Sequence, residues 1–167
     1  MTVNRWFYQF LFLLVVLSAG PKVLADEREI PLANDLAEIA QLSRSRALPT
    51  IIFVSREACP YCRTLRDSVL KPMLSANRFE QKALLVEVSL DRVDPITDFN
   101  HEVISAKAFA DRYQAEITPT LLFLDPDGRE IGKRRIGISN LELYGFYLQR
   151  SMDEALAVIR TRLQRAL

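Results

Sequence analysis

Cysteine is scarce in this 167-residue chain: the only two, Cys59 and Cys62, sit in the stretch ACPYCRTL, Ala58 to Leu65. Secreted domains held together by disulfides carry several widely spaced cysteines. Cross-link stabilisation also falls as the closed loop shortens, so one pair with a two-residue spacer is a weak structural staple. Histidine occurs once, at His101, which together with two cysteines falls short of the four ligands of a closed zinc site. The single tryptophan, Trp6, lies near the N-terminus. An excess of either charge is lacking too. Twenty-two Lys and Arg balance 21 Asp and Glu, for a formal net charge of +1. That balance carries no electrostatic footprint for nucleic acid and no steering toward a charged surface. Internal repeats, low-complexity tracts and Pro/Gly/Ser-rich linkers are absent. The length suits one domain, and 49% hydrophobic with 26% charged residues is ordinary for a chain with a real core.

The N-terminus has its own character. Arg5 precedes a nearly unbroken apolar run from Trp6 to Leu17, then Ser18, Ala19, Gly20 and Pro21. Val23-Leu24-Ala25 places small or modest side chains where a signal peptidase reads them. Residues 1–25 are expected to be a secretory signal peptide. The run is short of the about 20 residues a membrane-spanning helix needs, and the rival reading is an uncleaved anchor. In both readings residues 26–167 form one domain beyond the membrane. Removing Arg5 and Lys22, the only charged residues of 1–25, takes the formal charge from +1 to −1. Beyond the cytosol, thiols are not kept reduced by default.

Leu32 to Arg46 reads as a helix: Leu32, Leu36 and Ile39 recur at helical spacing, with acids early and arginines late. Thr50 to Ser55 (TIIFVS) and Lys82 to Leu90 (KALLVEVSL) read as strands buried on both faces. Between them, Cys62, Leu65, Val69 and Met73 mark a helix that Pro60 opens and Pro72 ends or kinks. Asp91 to Val103 reads as a polar loop, and Ser105 to Gln114 as a helix. The run from Ile117 to Gly137 reads as two strands joined by a turn at Asp125 to Gly128. The rest is helical, with capping boxes expected at Ser139/Glu142 and Ser151/Glu154, and with Met152, Leu156, Ile159 and Leu163 on one face. The order implies an α/β domain with a mixed central sheet flanked by helices.

A cysteine at a helix start meets free N–H groups and the positive end of the helix dipole, which stabilise its thiolate. Cys59 holds that position after a buried strand, and Cys62 lies one turn on, toward the core. The expected division of labour is that Cys59 forms a mixed disulfide with a partner and Cys62 resolves it. Arg56 and Arg63 either add positive potential there or are solvated surface charges. A second reading is a Cu(I) carrier using Cys59, Cys62 and His101, since Cu(I) accepts soft ligands at low coordination. In that reading His101 is a ligand; otherwise it is a solvated loop side chain. A third is a redox-inactive module that keeps the fold for protein contact.

Strand, CPYC, helix, strand, helix, Ile117-Thr118-Pro119-Thr120, hairpin, helix: this succession resembles the exported bacterial thioredoxin-like thiol–disulfide oxidoreductases over about Leu32 to Leu163. The resemblance implies a thioredoxin-like fold with a C-terminal helical extension. It implies that Cys59 is the nucleophile and Cys62 the resolving cysteine, with Pro60 and Tyr61 tuning the redox potential. Pro119 matches the family's cis-proline, which presents backbone to substrate, and Thr118 the residue before it. Implied partners are protein thiol or disulfide substrates and a redox partner protein, in the periplasm, with no cofactor. Contact with a membrane would come only through an uncleaved N-terminal segment. Two positions depart from the pattern. Ala58 stands where a tryptophan often precedes the first cysteine. Phe53 stands where thioredoxin has a buried acid six positions before the nucleophile, which leaves proton transfer to water or to another group such as Glu57.

Overall fold

The computed structural model describes residues 28–165, with side chains described through residue 162. The export segment read over residues 1–25 and the Leu163 side chain lie outside the described part.

Strand β1 (Thr50–Ser55) is buried along its whole length. Its β-branched and aromatic residues suit a pleated position covered on both faces. β1 pairs in parallel with β2 (Leu84–Ser89), from Thr50 opposite Leu84 to Ser55 opposite Ser89. On its other side it pairs antiparallel with β5 (Thr120–Leu124), from Thr50 opposite Leu124 to Val54 opposite Thr120. β6 (Arg135–Ile136) adds antiparallel to β5, so the mixed sheet runs β2-β1-β5-β6. Alternate side chains of β1 serve two cores. Ile51 and Phe53 pack with Cys62, Leu65, Leu70, Tyr144, Leu148 and Met152. Ile52 and Val54 pack with Leu36, Ile96, Ala106 and Phe109. Each such fully buried large side chain contributes about 1.5–3 kcal/mol. The expected α/β arrangement, a mixed central sheet flanked by helices, is therefore present.

Helix α1 (Leu36–Arg46) starts four residues later than the periodicity predicts. Asp35 is its N-cap, accepting the Glu38 N–H at 2.9 Å. Leu32 instead forms a parallel bridge to Glu87, with backbone bonds of 2.8 Å to either side, and so covers the open edge of β2. Pro72 does not end its helix. α2 (Pro60–Leu65) runs into a π-turn (Arg66–Leu70) and on through α3 (Lys71–Ser75). The widened turn, in which the Lys71 N–H reaches the Arg66 carbonyl, gives the proline ring room just where its missing donor would break an α-helical ladder.

The expected loop Asp91 to Val103 holds a small sheet, with β3 (Ile96–Thr97) antiparallel to β4 (Val103–Ile104). Two-residue strands leave no periodicity to read. What fixes them is Asp98, whose buried carboxylate accepts the Asn100 and Glu102 N–H groups at 2.8 Å each and pairs with Arg112 of α4 (Ala106–Tyr113). The capping boxes at Ser139 and Ser151 are not formed. Asn140 accepts the Leu143 N–H at 3.0 Å, and one helix, α5 (Leu141–Arg165), continues through Ser151. Among the described residues no helix is long and apolar enough to cross a membrane. The turn from Asp125 to Gly128 is present. Gly128 has φ of 74°, and a Cβ there would meet Phe99 and the Tyr113 hydroxyl at 2.8 Å. Burial pushes that phenol up to about 12.

Burial alone would raise the Asp98 pKa, but the two backbone donors and Arg112 outweigh it and hold the carboxyl below its usual range. A group lowered on folding adds stability above its unfolded value of about 3.9, and that stability is lost as pH falls through the folded value. Asp98→Asn is expected to cost about 2 kcal/mol of unfolding free energy at neutral pH. The gap from wild type should close below about pH 4, as read from urea melts across pH. A gap that stays constant to about pH 2 would contradict this account.

Candidate active site

The site forms where β1 ends and α2 begins. β1 is buried at every position, and after Ser55 the exposed Arg56, Glu57 and Ala58 carry the chain to the surface. Cys59 then has extended backbone, with φ of −109°, and acts as the N-cap of α2. Its Sγ accepts the Cys62 N–H at 3.1 Å. Pro60 occupies the first turn, where a missing N–H costs nothing. Cys59 and Cys62 form a disulfide with Cα atoms 5.2 Å apart. Cys59 is half-buried, whereas Cys62 is fully buried against Phe53 and Leu65. Tyr61, between them, is 66% exposed. The asymmetry expected from the sequence is thus present in exposure as well as in position.

Thr118 and Pro119 reach the same place from the other side of the sheet. They immediately precede β5, which runs antiparallel to β1, so they lie at the end of the sheet where Cys59 emerges. The Thr118–Pro119 peptide bond is cis. The Thr118 carbonyl oxygen lies 3.8 Å from Cys59 Sγ. Pro119 is buried, and its carbonyl accepts the Gly137 N–H at 2.8 Å, which ties the loop to β6. Tyr61, Ile117 and Ile136 are exposed apolar side chains on these same segments.

The remaining sequence candidates divide. Arg63 donates to the Glu57 carbonyl at 3.3 Å and so braces the approach to Cys59. Arg56 faces Asp91 at 3.7 Å. Glu57 is exposed, and its N–H donates to Asp91 at 2.7 Å, so its role here is in the loop and not beside Cys62. Phe53 is fully buried, as a central-strand phenylalanine should be. His101 is exposed with φ of 64°. Among the described residues no group of three or more His, Cys, Asp or Glu side chains is gathered to hold a metal, so the three-ligand copper site of Cys59, Cys62 and His101 is not assembled.

Sequence reasoning passed over a buried polar group near the cysteines. Glu87, in the middle of β2, is 5% exposed. It accepts from the Ser55 hydroxyl and pairs with Arg66 of the π-turn. The Arg66 guanidinium carbon lies 5.4 Å from the Phe53 ring centre. The signal was available: Glu87 is the one acid in LLVEVS, a run otherwise fit for burial on both faces.

Residues 32–143 match the family model described as a thioredoxin-like domain. The chain belongs to the thioredoxin-like family. Among solved structures it is similar to a DsbH oxidoreductase, with 15% identity over 83% of this chain and 98% of that one, at a TM-score of 0.58. It is also similar to thioredoxin O2 from Arabidopsis thaliana in the oxidized state, with 16% identity over 73% and 94% of the two chains and a TM-score of 0.49. Mitochondrial thioredoxin 3 from Saccharomyces cerevisiae shares 18% identity over 75% and 94%, at 0.47. No curated protein matches the chain significantly. At such identities the likeness to the first structure concerns the fold. A thioredoxin-like domain with its two cysteines paired at the start of a helix is a thiol–disulfide oxidoreductase.

The difference in exposure has a direct chemical readout. In the reduced native protein, iodoacetamide should modify Cys59 at least about tenfold faster than Cys62, as mass spectrometry of digests taken over time would show. Equal rates at the two thiols would contradict the assignment of depth.

Proposed function

We propose that this thioredoxin-like chain is an exported oxidoreductase that exchanges disulfides with protein partners through the Cys59–Cys62 couple. Cys59 is the nucleophile and leaving sulfur exchanged with the partner, and Cys62 resolves the mixed disulfide. The observation that carries this is the pairing of a half-buried N-cap sulfur with a fully buried one. The first stands 3.8 Å from the Thr118 carbonyl, where an incoming chain can reach it. Pro60 and Tyr61 set the potential of the couple. Thr118 and Pro119 offer backbone to an extended segment of the substrate, and exposed Tyr61, Ile117 and Ile136 favour an unfolded or loosely folded polypeptide over a small thiol. Residues 1–25 direct the domain to the periplasm. That reading rests on their charge and apolar run, and it accounts for a redox pair placed where thiols are not held reduced.

The reduction potential of the couple sets its direction. A value near about −270 mV marks a reductant, and one near about −120 mV an oxidant, with about 30 mV equal to about 1.4 kcal/mol for two electrons.

In cells making the full chain, Cys62→Ser should accumulate mixed disulfides through Cys59, visible as reducible high-mass bands. Cys59→Ser should accumulate none, and the mature protein should begin at Asp26. A Cys62→Ser variant without adducts, or a pair of cysteine variants that both keep full disulfide-exchange activity, would defeat the proposal.

A further inference from the structure

Cys62 must lose a proton to become the resolving nucleophile, and it is fully buried. Water cannot reach it freely, so an internal acceptor would accelerate that step. Among the described residues, three carboxylates are buried: Glu87, Asp98 and Asp125. Asp125 follows Leu124, which pairs with Thr50 at the far end of β1 from Cys59. Asp98 is taken up by two N–H groups and Arg112 in the small β3–β4 sheet, whose Ile96 and Ile104 pack on the opposite face of the main sheet.

Glu87 remains, and its register puts it on the right face. β1 and β2 are parallel, with Ile51 opposite Leu85 and Phe53 opposite Glu87. Ile51, Phe53 and Leu85 all belong to the core that contains Cys62. Glu87 therefore points to the cysteine side of the sheet, one strand spacing of about 4.8 Å from Phe53. The helix carrying Cys62 reaches down to it, because Arg66 lies four residues after Cys62, on the same helix face, and pairs with Glu87. Ser55 donates to the same carboxylate from the end of β1, four residues before Cys59. Burying such a pair is poor economy for stability alone. Other charges on the adjoining segments are engaged elsewhere. Lys71 meets Glu29 and Asp67, and Arg92 meets Ala33 and Asn34.

We propose that Glu87 is the proton acceptor for Cys62, with Arg66 and Ser55 as the positioning residues that hold its carboxylate. The inference rests on the Cys59–Cys62 exchange chemistry proposed above. In the resolving step the partner is attached as Cys59–S–S–R. The Cys62 proton passes to the Glu87 carboxylate, and the Cys62 sulfur attacks Cys59 Sγ. The Cys59–Cys62 bond forms, the bond to R breaks, and R leaves as a thiolate. Over the full cycle two protein thiols are oxidised and one partner disulfide is reduced. Glu87 then releases the proton to solvent, and in the reverse direction it returns one to Cys62.

The test uses the reduced domain and the aryl disulfide 5,5′-dithiobis(2-nitrobenzoate), which releases one coloured thiolate as Cys59 is attacked and a second as Cys62 resolves. Stopped-flow absorbance separates the two phases. Glu87→Gln should leave the first phase unchanged and slow the second at least about tenfold at neutral pH. The slowed phase should recover as pH rises through the ordinary thiol range near about 8.5, because hydroxide and buffer then take the proton. Since Glu87→Gln strands Arg66, the doubly neutral variant Glu87→Gln/Arg66→Gln is measured beside it, with melting curves for both. A second phase with wild-type rate and pH profile in either folded variant overturns the role of Glu87. Loss of both phases together in a folded variant also overturns it, since the effect would then lie in the site as a whole. Absence of a second phase in the wild type would instead count against the Cys59–Cys62 exchange reading itself.

Discussion

The pairing of β1 with two different neighbours is the constraint on which the rest depends. Thr50–Ser55 takes β2 in parallel on one side and β5 antiparallel on the other. Its backbone groups are thereby satisfied where no water reaches, which a strand buried at every position requires. The two pairings bring together, at one end of the sheet, the point where β1 releases the chain toward Cys59 and the point where Thr118-Pro119 feeds β5. The 3.8 Å approach of the Thr118 carbonyl to Cys59 Sγ follows from strand order and direction more than from any contact between loops.

The same strand sets the difference between the two sulfurs. Cys59 is held by its place as an N-cap, where the chain is still extended and half in solvent. Cys62 is carried one turn inward and meets Phe53 and Leu65, so its surroundings are those of the core. A half-exposed sulfur and a buried one, joined by one bond, present unequal faces to a partner. Loosening the core around Phe53 would expose a sulfur that is fully covered.

The parts legible in the sequence were those with long-range apolar pattern or position-specific chemistry. TIIFVS announced a buried strand by composition, and CPYC after it placed both sulfurs at a helix start. What was not legible had local or tertiary causes. Asp35 rather than Leu32 starts α1, because a carboxylate meeting the Glu38 N–H outweighs one apolar residue at helical spacing. The strands Ile96–Thr97 and Val103–Ile104 are too short to leave a period, and a single buried aspartate fixes them. Ser151 resembles a cap only if the chain breaks there, and packing of Leu148, Met152 and Ala155 on the sheet keeps α5 whole. Pro72 stays inside its helix because the π-turn before it makes room, a feature no residue type announces.

Glu87 joins these threads. A single acid in a buried apolar strand conflicts with local expectation, and such conflicts concentrate where a protein needs chemistry more than packing. The conflict is resolved by two partners, Ser55 from the strand that leads to Cys59 and Arg66 from the turn that follows Cys62. Each is tied through the backbone to one end of the CPYC segment. The β2 carboxylate thus joins the two segments that flank CPYC, even though the residue lies 25 positions beyond Cys62 in the chain.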